Sequence, residues 1–358
     1  MTRRSLSKLQ SAKKQAVRGA KPLRGVQLRV FHDDVLKHFI RTNYWKKRIE
    51  KLIRTRDIPC ISYFSLCADT AFDARLFKNG SLIDFTQQRP TPFGYCEYDR
   101  SRFDLLDSVF KSPCRGFFGR LEEMATDSGH QEYSKFWGSF PYDVINLDFW
   151  GDIHKANDPI QNVYYAINAI VSQQALLRKP YELWITWRAK DERVDLVVKS
   201  EYKGIINRNL DDSKSFLREF EKLHSHSDPD KLNEEELVNI GFIKWLLYIT
   251  NRSFSIIEDP EVLLYTKEDK DGKKYHLMNF LLRIHPYEYV IMPSPAGQAA
   301  EFCESSYSKN MTMCFQDPID VDKEFRKLPQ RKKESLKRNL LELKKEYMKD
   351  TAGHLHEK

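Results

Sequence analysis

One short apolar segment, residues 144–147, constrains the fold most, because an acid, two aromatic residues and a glycine follow it directly. Its valine, isoleucine and leucine favour a β-strand, and an almost continuous apolar run is typical of a strand covered on both faces. Asp148 would then lie at the carboxyl end of that strand, the edge at which open α/β sheets bind their ligands. The segment therefore predicts a buried strand that brings Asp148, Phe149 and Trp150 to a candidate site.

Similar strand-like runs alternate with helical patterns along the chain. Strands are predicted over residues 58–67, 93–97, 116–121 and 181–187, and helices over residues 69–77, 100–110 and 162–178. This alternation indicates βαβ units and a mainly parallel sheet. Later patterns predict helices over residues 212–223 and 234–250, a β-hairpin over 262–266 and 274–284, a strand over 289–292, and a helix from 321. The fold class is therefore α/β, with a mainly parallel central sheet, a late β-hairpin, helical additions and basic termini.

The net charge of +8 is concentrated at the N-terminus. Residues 1–32 contain nine Lys or Arg and no acid, so the remainder carries a net charge of −1. Basic arms of this kind often bind nucleic acid, although a solvated, disordered tail has the same composition. We predict a disordered basic arm over residues 1–32 and nucleic acid as its partner.

Residues 33–57 predict a basic amphipathic helix. Its polar face carries five candidate nucleic-acid contacts, which are Arg41, Lys46, Lys47, Arg48 and Lys51. Cations with aromatic residues between them suit phosphate contacts and base stacking. An ordinary packed helix with a charged outer face explains the same pattern, and both interpretations remain open.

The remaining divisions are an α/β domain over residues 58–292, a helical insert over about 205–255 and a basic helical extension over 293–358. The six cysteines form no CxxC pair and no zinc spacing, so we expect reduced thiols, no metal and a cytoplasmic protein. No apolar run approaches 18 residues, so no membrane partner is expected.

Residues 143–151, Asp-Val-Ile-Asn-Leu-Asp-Phe-Trp-Gly, resemble the fourth motif of S-adenosylmethionine-dependent RNA and DNA methyltransferases. They are most similar to the Asp-Val-Ile-Asp-Leu-Asp-Pro-(Phe/Tyr)-Gly motif of the tRNA guanine-26 dimethyltransferase group. The resemblance implies the Rossmann-like class I methyltransferase fold over about residues 58–290, S-adenosylmethionine as cofactor and a nucleic-acid substrate. It also implies that Asp148 accepts a hydrogen bond from the target amine, while Phe149 and Trp150 stack on the base. Asn146 replaces an acid of the motif, and Phe149 replaces its proline.

The resemblance also implies which residues bind the cofactor. Glu97, at the end of the second strand, lies where the family places an acid on the ribose hydroxyls, and Asp99 is the next candidate. Glu122, after the third strand, lies where family members contact the adenine amine. Acids at strand ends also cap helices, which is the structural alternative for each of them.

The turn after the first strand would hold the rest of the cofactor, through Cys67, Ala68 and Asp69. Family members have a glycine-rich turn at this point, because the backbone approaches the cofactor closely. Residues 65–73 contain no glycine. Two functions therefore stay open: a nucleic-acid methyltransferase, or a catalytically inactive methyltransferase-like module that binds nucleic acid or a protein partner.

Overall fold

A computed structural model describes residues 35–68, 70–149, 153, 159–189, 194–253, 255–268, 272–286 and 312–357. At the centre of this described part lies an eight-stranded sheet with the order β3-β2-β1-β4-β5-β7-β6-β8. In chain order its strands are Tyr63–Ser65 (β1), Phe93–Glu97 (β2), Arg115–Phe118 (β3), Val144–Asp148 (β4), Tyr181–Arg188 (β5), Ser255–Glu268 (β6), Lys274–Pro286 (β7) and Ile319–Asp320 (β8).

Helices cover both faces of the sheet. The first is continuous through the α-helical segment Val35–Ile40, the π-helical turn Arg41–Trp45 and the α-helical segment Lys46–Arg56, together named α1. The others are Phe72–Asn79 (α2), Arg100–Val109 (α3), Leu121–Thr126 (α4), Tyr133–Trp137 (α5), Pro159–Ala175 (α6), Leu196–Asp212 (α7), Lys214–His224 (α8), Glu234–Arg252 (α9), Val321–Lys327 (α10) and Gln330–Glu357 (α11).

Strand directions define the fold class. The strands β1 to β5 pair in parallel, whereas β7 pairs antiparallel to both β5 and β6. A parallel sheet in the order 3-2-1-4-5 that continues into an antiparallel hairpin is the Rossmann-like sheet of class I methyltransferases, and here the short β8 is added beyond the hairpin. The predicted fold class is therefore confirmed.

The predicted elements differ from the structure mainly in length. The strand β2 has the predicted bounds, but only three residues of the predicted first strand pair in the sheet. The hairpin strands are longer than predicted, because β6 continues through a bulge between Glu258 and Glu261. The helix α7 was not predicted, since Gly204 and many polar residues hide its periodicity. The predicted strand over residues 289–292 and the arm over 1–32 lie outside the described residues.

Alternate residues of β5 show how the two cores form. Leu183 and Trp187 belong to a core shared with α4 to α9, whereas Trp184 belongs to a core shared with α1, α2 and α3. Successive side chains of a strand point to opposite faces, so one buried strand supplies both cores. The ring of Trp45 in α1 stacks on Trp184 with centroids 5.4 Å apart.

The helix α1 runs antiparallel to β4 along the sheet face. Near its end, Arg56 forms an ion pair with Asp143, just before β4 begins. Near its start, Lys37 forms an ion pair with Asp148, the last residue of β4. The helix is therefore fixed at both ends of one strand.

The last helix covers the same face. Leu340, Leu343 and Tyr347 of α11 pack with Phe72, the first residue of α2. The segments that begin and end the described chain therefore lie together beside the carboxyl ends of the strands.

Two observations concern the expectations of reduced thiols and of no membrane partner. Among the described cysteines, Cys67, Cys96 and Cys114 are buried free thiols, while Cys303 lies outside the described residues. No helix in the described ranges is long and apolar enough to cross a membrane.

Candidate active site at the strand ends

Asp148 and Glu97 flank the turn that follows β1. Ser65 at the end of β1 pairs with Tyr95 of β2 on one side and with Asn146 of β4 on the other. Each acid lies two residues beyond its paired position, so both stand at the same height. Two strand spacings separate β2 from β4, which places the two acids about 10 Å apart across the turn.

Lys37 holds Asp148 in a defined position. Its Nζ lies 3.0 Å from Oδ2 and 3.1 Å from Oδ1 of Asp148, and it donates to the Tyr265 hydroxyl at 2.9 Å. The same ammonium lies 4.8 Å from the ring centroid of Trp45, a favourable cation–π distance. The Asp148 side chain keeps 23% of its surface exposed, so a further donor can reach the carboxylate.

The ion pair sets the charge of both groups. Burial alone would raise the pKa of Asp148, but the adjacent Lys37 ammonium lowers it on balance. Burial alone would lower the pKa of Lys37, but Asp148 raises it on balance. Asp148 is therefore a carboxylate at neutral pH, and it can accept a hydrogen bond. Sequence reasoning missed Lys37, because a lysine within a basic helix carries no distinguishing signal.

The aromatic residues after Asp148 are only partly described. Phe149 is half-buried, packs against the core on the side of α4 to α9, and donates its backbone N–H to the Leu147 carbonyl at 3.0 Å. Trp150, the second predicted stacking residue, lies outside the described residues.

The turn after β1 adopts a glycine-like conformation without a glycine. Ala71 precedes α2 with φ +40° and ψ +42°, in the left-handed region that glycine favours. Of the predicted cofactor residues in this turn, Cys67 is buried, Ala68 is exposed and Asp69 lies outside the described residues. The backbone thus keeps the turn while an alanine bears the strain.

A buried polar network lies under this turn. Asp73 Oδ2 accepts hydrogen bonds from the Tyr63 hydroxyl at 2.5 Å and from Ser65 Oγ at 3.0 Å. The Asn146 amide donates to the Tyr63 hydroxyl at 3.0 Å and lies 3.4 Å from Asp73 Oδ2. An acid at position 146 would place a second carboxylate beside Asp73. An asparagine at position 146, where the methyltransferase motif that residues 143–151 resemble has an acid, therefore has a local physical reason.

Glu97 and its neighbours form the other side of the site. Glu97 is buried at the end of β2, and Oε1 accepts the Asp99 backbone N–H at 2.8 Å. Burial raises the pKa of Glu97. The next residue, Tyr98, is 65% exposed, and Arg120 lies 5.8 Å from its ring centroid. Sequence reasoning missed Tyr98, because the sequence does not show that its ring is exposed; an exposed aromatic ring can stack on a base.

Asp99 and Glu122 occupy helix starts. Asp99 caps α3 by accepting the Arg102 backbone N–H at 3.1 Å and the Ser101 hydroxyl at 2.5 Å. These bonds lower the pKa of Asp99. Glu122 lies half-buried in the first turn of α4, where burial raises its pKa. The structural alternative thus explains Asp99, whereas Glu122 stays a prediction.

The five predicted nucleic-acid contacts of α1 do not share one face. Arg41 is buried, and Arg48 Nε lies 2.8 Å from Oε2 of the fully buried Glu182. The other three are partly or fully exposed, and they are Lys46, Lys47 and Lys51. Lys47 lies about 15 Å along the helix from Lys37, at the standard rise per residue. The exposed cations of α1 thus lead away from Asp148.

The strand order and the acids at the strand ends define a Rossmann-like domain of the class I methyltransferase type. The model of the PP_RS20740-like family matches residues 117–350, and the chain belongs to this family. No curated protein matches the sequence.

Three solved structures are similar to the chain. The first is the 1,6-didemethyltoxoflavin-N1-methyltransferase of Burkholderia thailandensis, with bound 1,6-didemethyltoxoflavin and S-adenosylhomocysteine. The two sequences are 10% identical, the match covers 67% of this chain and 76% of that chain, and the TM-score is 0.31. The second is a SAM-dependent methyltransferase from Methanosarcina mazei, with 11% identity, coverage of 64% and 93%, and a TM-score of 0.30.

The third structure concerns the conversion of a disulfide bond into a thioacetal group during echinomycin biosynthesis, with 10% identity, coverage of 73% and 87%, and a TM-score of 0.31. None of these three is described as a tRNA methyltransferase, so the likeness to the guanine-26 group stays a prediction. Similarities this distant add no argument to the fold assignment, which rests on the strand order.

Proposed function

We propose that the chain is an S-adenosylmethionine-dependent methyltransferase that acts on a base amine of RNA or DNA. The observation that carries this proposal is the placement of Glu97 and Asp148 at equal height on either side of the β1 turn. One acid suits the donor side of a methyl-transfer site, and the other suits the acceptor side.

On the donor side, the residues present fit S-adenosylmethionine. Glu97 would accept hydrogen bonds from the ribose hydroxyls, since a carboxylate can accept two such bonds. The exposed ring of Tyr98 would stack on the adenine. The left-handed turn at Ala71 would bring the backbone close to the ligand. When bound, this cofactor supplies an electrophilic methyl group.

On the acceptor side, Asp148 would orient the amine. Each carboxylate oxygen has two lone pairs, so the contacts to Lys37 leave room for an N–H of the substrate. That hydrogen bond would direct the nitrogen lone pair toward the methyl group. Lys37 keeps the carboxylate ionised, so the bond is charge-assisted.

The test is calorimetry with S-adenosylmethionine and S-adenosylhomocysteine. The wild-type chain should bind both at micromolar concentrations, and Glu97→Gln should weaken binding at least tenfold, about 1.4 kcal/mol. Glu123→Gln, an exposed neighbour of Glu122, should bind normally. Transfer of a tritiated methyl group to RNA or DNA should then require Asp148. Absence of binding at millimolar ligand would refute the proposal.

The second candidate is an inactive methyltransferase-like module that binds nucleic acid or a protein partner. Two observations favour it: Lys37 already contacts both oxygens of Asp148, and the β1 turn has no glycine. Nucleic-acid binding by a chain that binds neither cofactor form would favour this candidate.

A further inference from the structure

A second basic surface lies at the corner between α10 and α11. Residues 323–338 contain eight cations and two acids. The cations are Lys323, Arg326, Lys327, Arg331, Lys332, Lys333, Lys337 and Arg338. All are exposed except Lys333, which is half-buried and donates to the Arg326 carbonyl at 2.9 Å. We name these residues the basic corner.

The basic corner is fixed against the acceptor side of the candidate site. Just before α10, β8 pairs with β6 beside Tyr265, and Asp322 Oδ2 accepts the Thr266 backbone N–H at 2.8 Å. The ring of Phe325 lies 5.6 Å from that of Phe39, two residues after Lys37. The corner therefore packs on α1, which carries Lys37, and on β6, which carries Tyr265.

Helix stability accounts for Arg326 and Lys327, which lie in the last turn of α10, but it does not account for the cations at the start of α11. The first turn of α11 holds three of them and no acid. Cations at a helix N-terminus oppose the helix dipole, and neighbouring like charges repel each other. Cations kept together in an unfavourable place suit an anionic partner.

The apolar residues of the basic corner distinguish nucleic acid from a membrane surface. Phe325 and Leu328 are half-buried, and Leu336 is buried. A helix that lies on a membrane needs an exposed apolar face, and the basic corner presents charges instead. A row of phosphates is the partner that this surface fits.

We propose that the basic corner binds the phosphate backbone of a nucleic acid and so directs a base toward Asp148. The second half of this statement rests on the proposed function, whereas the binding itself does not. Each phosphate contact releases condensed counterions, so the binding constant must fall with salt.

The test measures fluorescence anisotropy of labelled single-stranded RNA and DNA over a range of salt, without any cofactor. One variant replaces four exposed cations of the corner with glutamine: Lys323→Gln, Arg326→Gln, Arg331→Gln and Lys332→Gln. The matched control makes the same change at four exposed cations on or near α8: Lys214→Gln, Arg218→Gln, Lys222→Gln and Lys231→Gln.

The corner variant should bind at least tenfold more weakly at low salt than the wild type. The slope of log affinity against log salt should become shallower by about 3, since each lost contact to a single strand removes about 0.7. The control should keep the wild-type slope, and thermal unfolding should show that both variants fold.

Equal slopes for the two variants would overturn the proposal. Binding to phosphatidylserine vesicles without binding to RNA or DNA would also overturn it. Failure of the calorimetric test with S-adenosylmethionine would refute the methyltransferase activity alone, so the two proposals fail separately.

Discussion

Lys37 and Asp148, 111 residues apart in the chain, meet at the carboxyl end of β4, with the ammonium 3.0 and 3.1 Å from the two carboxylate oxygens. The acid comes from the central sheet, whereas the lysine comes from a helix outside it. The N-terminal helix α1 therefore takes part in the candidate site itself, besides covering the sheet.

Replacing Lys37 with methionine should destabilise the fold by about 3 kcal/mol, the lower end of the range for removing one partner of a buried pair. The change keeps the unbranched apolar stem but removes the ammonium, which leaves Asp148 with an uncompensated charge. Urea unfolding at neutral pH measures the loss. Lys47→Met, on the exposed face of α1, should stay within about 0.5 kcal/mol of the wild type. Equal stability of the two variants would show that the pair contributes nothing.

Asn146→Asp introduces the acid of the methyltransferase motif that residues 143–151 resemble, and it should nevertheless destabilise the chain by about 3 kcal/mol at neutral pH. The new carboxylate would lie beside Asp73 in a buried network, where two like charges are unfavourable. Its folded pKa would be raised, so part of the stability should return as the pH falls and the new acid is protonated. Asn168→Asp, at an exposed position of α6, should change little at any pH. A loss that does not depend on pH would contradict this explanation.

Ala71→Gly should stabilise the chain by about 0.5–1 kcal/mol, because the left-handed conformation strains an alanine and not a glycine. Ala74→Gly, three residues later inside α2, should have the opposite effect and destabilise by at least about 1 kcal/mol. Thermal unfolding of the pair gives the sign directly. A destabilised Ala71→Gly variant would mean that the turn is not strained in solution.

Lys244 provides a test at alkaline pH. It is buried in α9, where burial lowers its pKa to about 8. Below that pH the folded chain holds a buried charge, and the penalty is relieved as the pH rises toward the unfolded pKa of about 10.4. The stability of the wild type relative to Lys244→Met should therefore rise by roughly 3 kcal/mol between pH 8 and 10.5. Urea unfolding across this range measures it. Lys222→Met, on the surface, should show no such rise.

Local patterns were enough to predict the strands β1 to β7 and the two acids of the candidate site, whereas β8 was not predicted. The apolar run of β4 fixes Asp148 at a strand end, and the short run of β2 does the same for Glu97. Both predictions depend on residues adjacent in sequence. The buried length of β4 has only uncharged side chains, so the acid that follows it lies at the end of the strand.

Contacts between distant segments were beyond sequence reasoning. The partner of Lys37 depends on where α1 crosses the sheet, and the inward turn of Arg48 depends on the buried Glu182 of β5. The left-handed backbone of Ala71 could not be predicted either, because alanine most often adopts helical or extended backbone. Charge patterning alone therefore included two cations that the structure turns inward, Arg41 and Arg48, while nucleic-acid contact by Lys46, Lys47 and Lys51 stays a prediction.

The distances along the chain between α1 and its partners also affect how the protein is made. Trp45 bonds to Asn279, 234 residues later, and Lys37 to Tyr265, 228 residues later. In each pair the ribosome makes the later residue roughly 10–50 s after the earlier one, at about 5–20 residues per second. During that interval the hairpin side of the surface that α1 covers is still missing. The contacts of Trp45 and Lys37 with the hairpin can therefore form only after β6 and β7 have been synthesised, whereas the contacts of α1 with Asp143, Asp148 and Trp184 can form earlier.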